Sequence, residues 1–237
     1  MKKIALPFLV LTLVFISCDD LPTGSDMGSS NSNDTDEFGT NRYSSREIET
    51  ALGDMICDAA VWYIENQIEA RYKQDVDFAC FNGGIFDSGL PEGPVTPAMI
   101  PGLIKSDTLA IVALPGSKVT ELFAYFASLP QSDNGWAQVS KEARFTIDYT
   151  QGQSAGQLKG LTIKGEAIDP EETYYVCTSD ILVQGKHGGH NYPALSAAES
   201  QVFTGVLVSE AISAYVSAQT QPFEPETDGR ITIIGGY

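Results

Sequence analysis

The sequence predicts an α+β domain, a mixed β-sheet with flanking helices, and three observations carry that reading. Residues 76–80, 108–114, 143–150, 158–164 and 173–178 have the composition or alternation of strands, and residues 48–63 and 118–129 have helical spacing. Strands and helices follow one another without the regularity of repeated βαβ units, which argues against a doubly wound parallel sheet. No internal repeat is present.

The chain opens with a segment that reads as an export signal, residues 1–17. Lys2 and Lys3 supply the positive start and Ile4 to Ile16 the apolar stretch, too short for a comfortable transmembrane helix. Ser17 and Cys18 follow directly, a small residue before a cysteine, so Cys18 is the expected lipidation site and the membrane the expected partner. The location implied is extracytoplasmic, lipid-anchored to a bacterial membrane. Asp19 to about Ser45 is rich in Ser, Asn, Asp, Thr and Gly, which offers too little apolar surface to offset chain entropy. Residues 18–45 are therefore expected to be a disordered tether, and residues 46–237 the folded domain.

Within the domain, Ser44-Ser45-Arg46-Glu47 has the form of a capping box. Ile48, Leu52, Met55, Ile56, Ala59 and Tyr63 then recur at helical spacing, giving a helix to about Ala70. Val76, Phe78 and Cys80 alternate with Asp75, Asp77 and Ala79, as in a strand with one buried face. That strand stops at Asn82-Gly83-Gly84, where glycines permit positive φ and close approach of a ligand. Thr96-Pro97 opens a short helix, with Thr as cap and Pro at the first position. Thr108 to Leu114 is a buried-type strand, and Lys118 to Leu129 a helix facing inward through Val119, Leu122, Phe123 and Phe126. Strands at Ala143–Thr150, Leu158–Lys164 and Thr173–Thr178 precede a glycine- and histidine-rich loop, Gln184 to Tyr192. A last helix from about Phe203 to Ala218 and a closing strand, Arg230 to Ile234, complete the domain.

The net charge is −17, and removing a leader that holds two lysines and no acids makes it −19. No basic cluster survives in the sequence, so nucleic acid is excluded as a partner. Cys57, Cys80 and Cys177 sit in apolar patterns and read as buried thiols, with one disulfide open. His187-Gly-Gly-His190, even with Asp180, falls short of the three or four ligands that zinc takes. No catalytic residue, metal site or cofactor is expected in this chain. Asp54 and Asp58 stand at i and i+4 on the first helix and are not expected to be paired catalytic acids.

Four ordered segments resemble the C-terminal, substrate-binding domain of 5′-nucleotidases and UDP-sugar hydrolases. They are ALGDMICDAAVW at 51–62, VDFACFNGGIFDSGL at 76–90, the stretch GPVTPAMIPGLIKSDTLAIVALPGSKVTELF at 93–123, and LKGLTIKGEAIDPEETYYVCTSD at 158–180. The resemblance implies that fold over about Arg46 to Tyr237. It also implies a nucleoside site that includes Arg46, Asn82, Gly83 and Gly84. The family's loop closes on an arginine where this chain has Phe86, and it stacks the base between two phenylalanines where this chain has Lys105 and Ile181. Its ribose-binding aspartate corresponds to His187 or His190. Phe86 and Tyr192 are the expected replacement aromatic pair. The family's hydrolytic chemistry belongs to a preceding two-metal domain, whose set of Asp, His and Asn ligands two histidines cannot supply. Three functions follow as expectations: a non-catalytic binder of a nucleoside-like molecule or of a partner, the binding subunit of a nucleotidase completed by a separate metallophosphoesterase, or a structural surface lipoprotein.

Overall fold

The computed structural model describes residues 36–152, 154–186, 190 and 192–236. The leader and Cys18 lie outside these residues. Helix α1 (Ala51–Asn66) comes first, then strand β1 (Phe78–Asn82), strand β2 (Thr108–Pro115) and helix α2 (Gly116–Ser128). Strands β3 (Ala137–Val139), β4 (Ala143–Asp148), β5 (Gln157–Ile163), β6 (Glu166–Ala167) and β7 (Thr173–Ser179) follow. Two single-turn helices, α3 (Asp180–Val183) and α4 (Pro193–Ser196), lead to β8 (Ser200–Leu207), α5 (Val208–Ala218) and β9 (Ile231–Ile234).

Five strands form one sheet in the order β3-β1-β7-β2-β8, and four form a second, β6-β5-β4-β9. Each sheet mixes directions: β1 lies parallel to β7 and β4 parallel to β9, while the other pairs are antiparallel. The fold is α+β, as the sequence predicts.

The larger sheet is covered on both faces, and its residues divide between two cores. Ala79, Phe81, Leu109, Ile111 and Cys177 join the core that holds Leu52, Ile56, Ile212 and Val216, from α1 and α5. Phe78, Cys80, Ala110, Val112 and Val176 join the other, against Phe123 and Phe126 of α2 and Phe145 and Ile147 of the second sheet. This corrects the expectation of one buried face for β1, because all five of its residues are buried. Asp75 and Asp77 mislead because they precede the strand. Cys57, Cys80 and Cys177 are free and fully buried, and burial pushes the Cys80 thiol up to about 12.

Several boundaries differ from the sequence reading, each for a local reason. Ser44–Arg46 is one 3-10 turn rather than the start of the helix, which is capped instead by Thr50 through its hydroxyl to Gly53 N at 3.1 Å. Buried Gln138 of β3 fixes that entry, bonding the Ser45 and Ile48 carbonyls at 2.9 and 2.7 Å. The helix stops at Asn66, with Ala70–Tyr72 a separate 3-10 turn, and Pro97–Met99 is likewise a 3-10 turn. Residues 200–207 are a strand, not the beginning of the last helix. Its β-branched and aromatic side chains suit a sheet edge, and Gly205 with φ +74° sits at the irregularity in its pairing with β2.

The tether expected to run to Ser45 is folded from Asp36 onward. The Asp36 carboxylate accepts from Gly39, Thr40 and Asn41 amides at 3.0, 2.9 and 2.6 Å and from the Ser44 hydroxyl at 2.8 Å. Ala51 and Leu52 amides then bond the carbonyls of Glu37 and Phe38. An Asx-type turn orders this polar stretch, and Phe38 packs against the core that α1 shares.

Candidate functional site

The carboxyl ends of the parallel pair β1 and β7 point the same way, and antiparallel β2 enters from that same edge. Phe78 lies beside Val176 and Leu109 opposite Ser179, so Gly84, Lys105 and Ile181 emerge together. Such an edge is where ligands enter many sheets with parallel strands. Residues 85–87 run alongside 103–105, with Asp87 N to Leu103 O at 2.9 Å and Phe86 bridged to Ile104. That hairpin-like contact brings the Lys105 ammonium to the Gly84 carbonyl at 3.0 Å.

The fourth wall comes from the segment before α1. Gly83 makes this possible: a Cβ there would fall 2.0 Å from the Ser45 carbonyl oxygen. Neither of the paired glycines takes the positive φ that the sequence permits. Gly83–Ile85 is a 3-10 turn, and the backbone closely approaching Gly83 belongs to the protein itself. Gly83 and Gly84 amides are taken by the carbonyls of Trp136 and Asn134 at 2.6 and 2.9 Å. Asn82 is buried and donates to the Asn134 carbonyl at 2.7 Å, so it pins the far wall.

The result is an open cleft of about 720 Å³, whose walls carry Arg46, Gly84, Lys105 and Ile181. Arg42, Tyr43 and Lys186 line it as well, with Asp87 and Asp107 as the acidic members. The guanidinium carbons of Arg42 and Arg46 each lie 4.7 Å from the Tyr43 ring centroid. Burial, with Tyr43 opposing and Arg42 adding to it, pulls the Arg46 guanidinium below its ordinary value. Asp107 is raised by burial and by Asp180. Arg42, Tyr43 and Lys186 are absent from the sequence reading. The first two fall in the stretch assigned to the tether, where an Arg-Tyr pair amid Ser and Asn was the available signal.

Other expected site residues lie elsewhere. Phe86 is 1% exposed in the core beneath α1 and offers the cleft no ring face. Tyr192 is fully buried in the other core, against Tyr125 and Phe126 at 5.5 and 5.8 Å between centroids. The expected Phe86–Tyr192 pair is not formed, because the sheet separates the two cores. His190 is fastened outside the cleft lining, with Nε2 at 2.8 Å from Asp133 Oδ1 and Nδ1 at 2.9 Å from the Tyr125 hydroxyl. His187 lies outside the described residues.

A second polar cluster sits under α1. Arg230 donates to both oxygens of Asp58 at 2.8 Å and to the Val139 carbonyl at 3.1 Å, and its Nε lies 3.3 Å from Asp54 and 3.2 Å from Asp228. Glu49 accepts three amides, from Asp228, Gly229 and Ile231, at 2.7–3.0 Å. Oxygens of Glu49, Asp54 and Asp228 are close enough to share a cation. Arg230 already stands among them, and Glu49 is spent on backbone. Burial, partly opposed by Arg230 and reinforced by Glu49, pushes the Asp54 carboxyl up to about 10. This cluster ties the C-terminal strand to α1.

The domain is thus α+β, with a basic cleft beyond the ends of a parallel strand pair. A family model described as 5′-nucleotidase, C-terminal domain, matches residues 27–197, and the chain belongs to that family. It is 25% identical over 145 residues to Protein UshA of Escherichia coli, covering 61% of this chain and 24% of that protein. Among solved structures it resembles a 5′-nucleotidase precursor from Thermus thermophilus, with TM-score 0.68, 23% identity, and 83% of this chain and 38% of that one covered. It also resembles the NAD nucleotidase of Haemophilus influenzae, with TM-score 0.64, 19% identity, and coverage of 86% and 36%. The chain spans about a quarter of the length of the curated relatives it matches.

Proposed function

We propose that this chain is an extracytoplasmic lipoprotein, anchored through Cys18, whose nucleotidase-type domain binds a small nucleotide-like ligand without hydrolysing it. The observation that carries the binding reading is the cleft, where Arg46, Gly84, Lys105 and Ile181 converge from four separate segments. The anchor rests on the leader and the Ser17-Cys18 junction. Among the described residues no helix is long and apolar enough to cross a membrane. Thermal unfolding of the full chain against a panel of nucleosides and nucleotides tests the binder. A ligand shifts the midpoint by mass action, and no shift from any member would leave a structural lipoprotein.

A second reading is favoured by the nucleotidase names of the relatives and by the small share of their length that this chain spans. In it the domain presents substrate to a metallophosphoesterase supplied separately. Phosphate released from AMP or UDP-glucose by the purified chain with added divalent metal would overturn the non-catalytic claim. Release only after a separate metallophosphoesterase is added would favour the divided enzyme.

A further inference from the structure

The cleft is basic in a protein that is otherwise strongly acidic. The chain has 31 Asp and Glu against 14 Lys and Arg, so a cation has carboxylates to choose from almost anywhere. Arg71, Lys118, Arg144, Lys159, Lys164 and Arg230 each have one at 2.7–3.7 Å. Among the described residues, Arg42, Arg46, Lys105, Lys186, Lys73 and Lys141 have no such pair, and the first four of these six line one cleft. Asp87 and Asp107 share the cleft and leave two positive charges in excess. Two of the four cations are guanidinium forks held four residues apart against one tyrosine ring, a geometry suited to planar sets of anionic oxygens.

Nothing comparable awaits a nucleobase. Tyr43 is the one aromatic side chain on the cleft wall among the described residues, and two guanidinium groups already approach its ring. Phe86 and Tyr192 are buried in separate cores. Stacking supplies on the order of 1–3 kcal/mol per base where a ring face is free, and no free pair of faces exists here.

We infer that the cleft selects its ligand by adjacent phosphate groups and not by the base, so that the ligand class is a small polyphosphate or phosphorylated metabolite. This rests on the reading of the cleft as the ligand site. Calorimetric titration of the full chain with inorganic phosphate, pyrophosphate, tripolyphosphate, AMP, adenosine and uridine tests it. Affinity should rise along the phosphate series and weaken as salt goes from about 0.01 M to about 1 M, where the Debye length falls from roughly 30 to 3 Å. Adenosine and uridine should give no heat and should not displace pyrophosphate. Arg46→Gln should weaken pyrophosphate binding about tenfold or more, as loss of a charge-assisted contact does. Lys105→Gln, at an exposed side chain, should do the same in direction without affecting folding, and Arg71→Gln, far from the cleft, should change nothing. A nucleoside binding as tightly as AMP would overturn the phosphate inference and leave the ligand site standing. Silence from every compound would overturn both.

Discussion

Two clusters of arginine and carboxylate lie at opposite extremes of completion. Around Arg230 nearly every donor and acceptor is spent inside the protein, on Asp58, Asp54, Asp228 and backbone carbonyls. Around Arg42 and Arg46 the guanidinium groups rest on a tyrosine ring and no carboxylate pairs with them. The same residue type is a staple in one place and an open hand in the other. What separates them is how the local chain places its acids: α1 brings the Asp54 and Asp58 carboxylates to the first, whereas Asp87 offers Arg42 its backbone carbonyl at 3.3 Å rather than its carboxylate.

The contrast can be broken from either side. The largest effect should come from Arg230→Met, which leaves Asp54, Asp58 and Asp228 facing one another. Removing one partner from a buried ion pair costs about 3–5 kcal/mol, read as a fall in the urea midpoint. Gly83→Ala should come next, at roughly 1–3 kcal/mol, because its Cβ would meet the Ser45 carbonyl at 2.0 Å. Unlike Arg230→Met, it should also weaken pyrophosphate binding, since Ser45 must move and Arg46 with it. Arg46→Gln should reverse the pattern, changing stability by less than about 0.5 kcal/mol while binding is lost. An equal stability loss from Arg46→Gln and Arg230→Met would erase the distinction between staple and open site.

The last effect concerns protons. Asp54 has a raised folded-state pKa, so the native chain holds a proton that the unfolded chain releases above the ordinary value of 3.8. Its contribution to stability is therefore complete below that value and declines as pH rises towards about 10. Asp54→Asn mimics the protonated form and should flatten this decline. The comparison is made with urea midpoints of both proteins at about pH 5 and about pH 9, and the variant should gain on the parent at the higher pH. A steeper decline in the variant would show that Asp54 is ionised beside Arg230.

Much of the fold could be read from pattern, because burial in a sheet imposes period two. Strands at 108–115, 143–148, 157–163 and 173–179 and helix α2 stand close to where alternation and spacing put them. The misses share a cause, which is that tertiary partners override local signals. Ser44-Ser45-Arg46-Glu47 satisfies a capping rule, but Gln138 from a distant strand claims the Ser45 carbonyl and moves the cap to Thr50. Val202 to Val206 could continue a helix by composition, yet an open edge of β2 recruits them as a strand. At the site, Arg46, Lys105 and Ile181 were legible as positions but not as a surface. Phe86 looked available because its neighbours are polar and flexible, while the chain turns it inward. Arg42 and Tyr43 were invisible for the converse reason, lying in a polar stretch held by one aspartate.

That aspartate decides where the domain can be cut. A protease trimming inward from the N-terminus meets the four bonds on Asp36 before it reaches Arg42, so clipping ahead of Asp36 leaves the basic wall in place. Cleavage there would free the domain with its basic cleft complete. A cut a dozen residues later would remove Arg42, Tyr43 and Arg46 together.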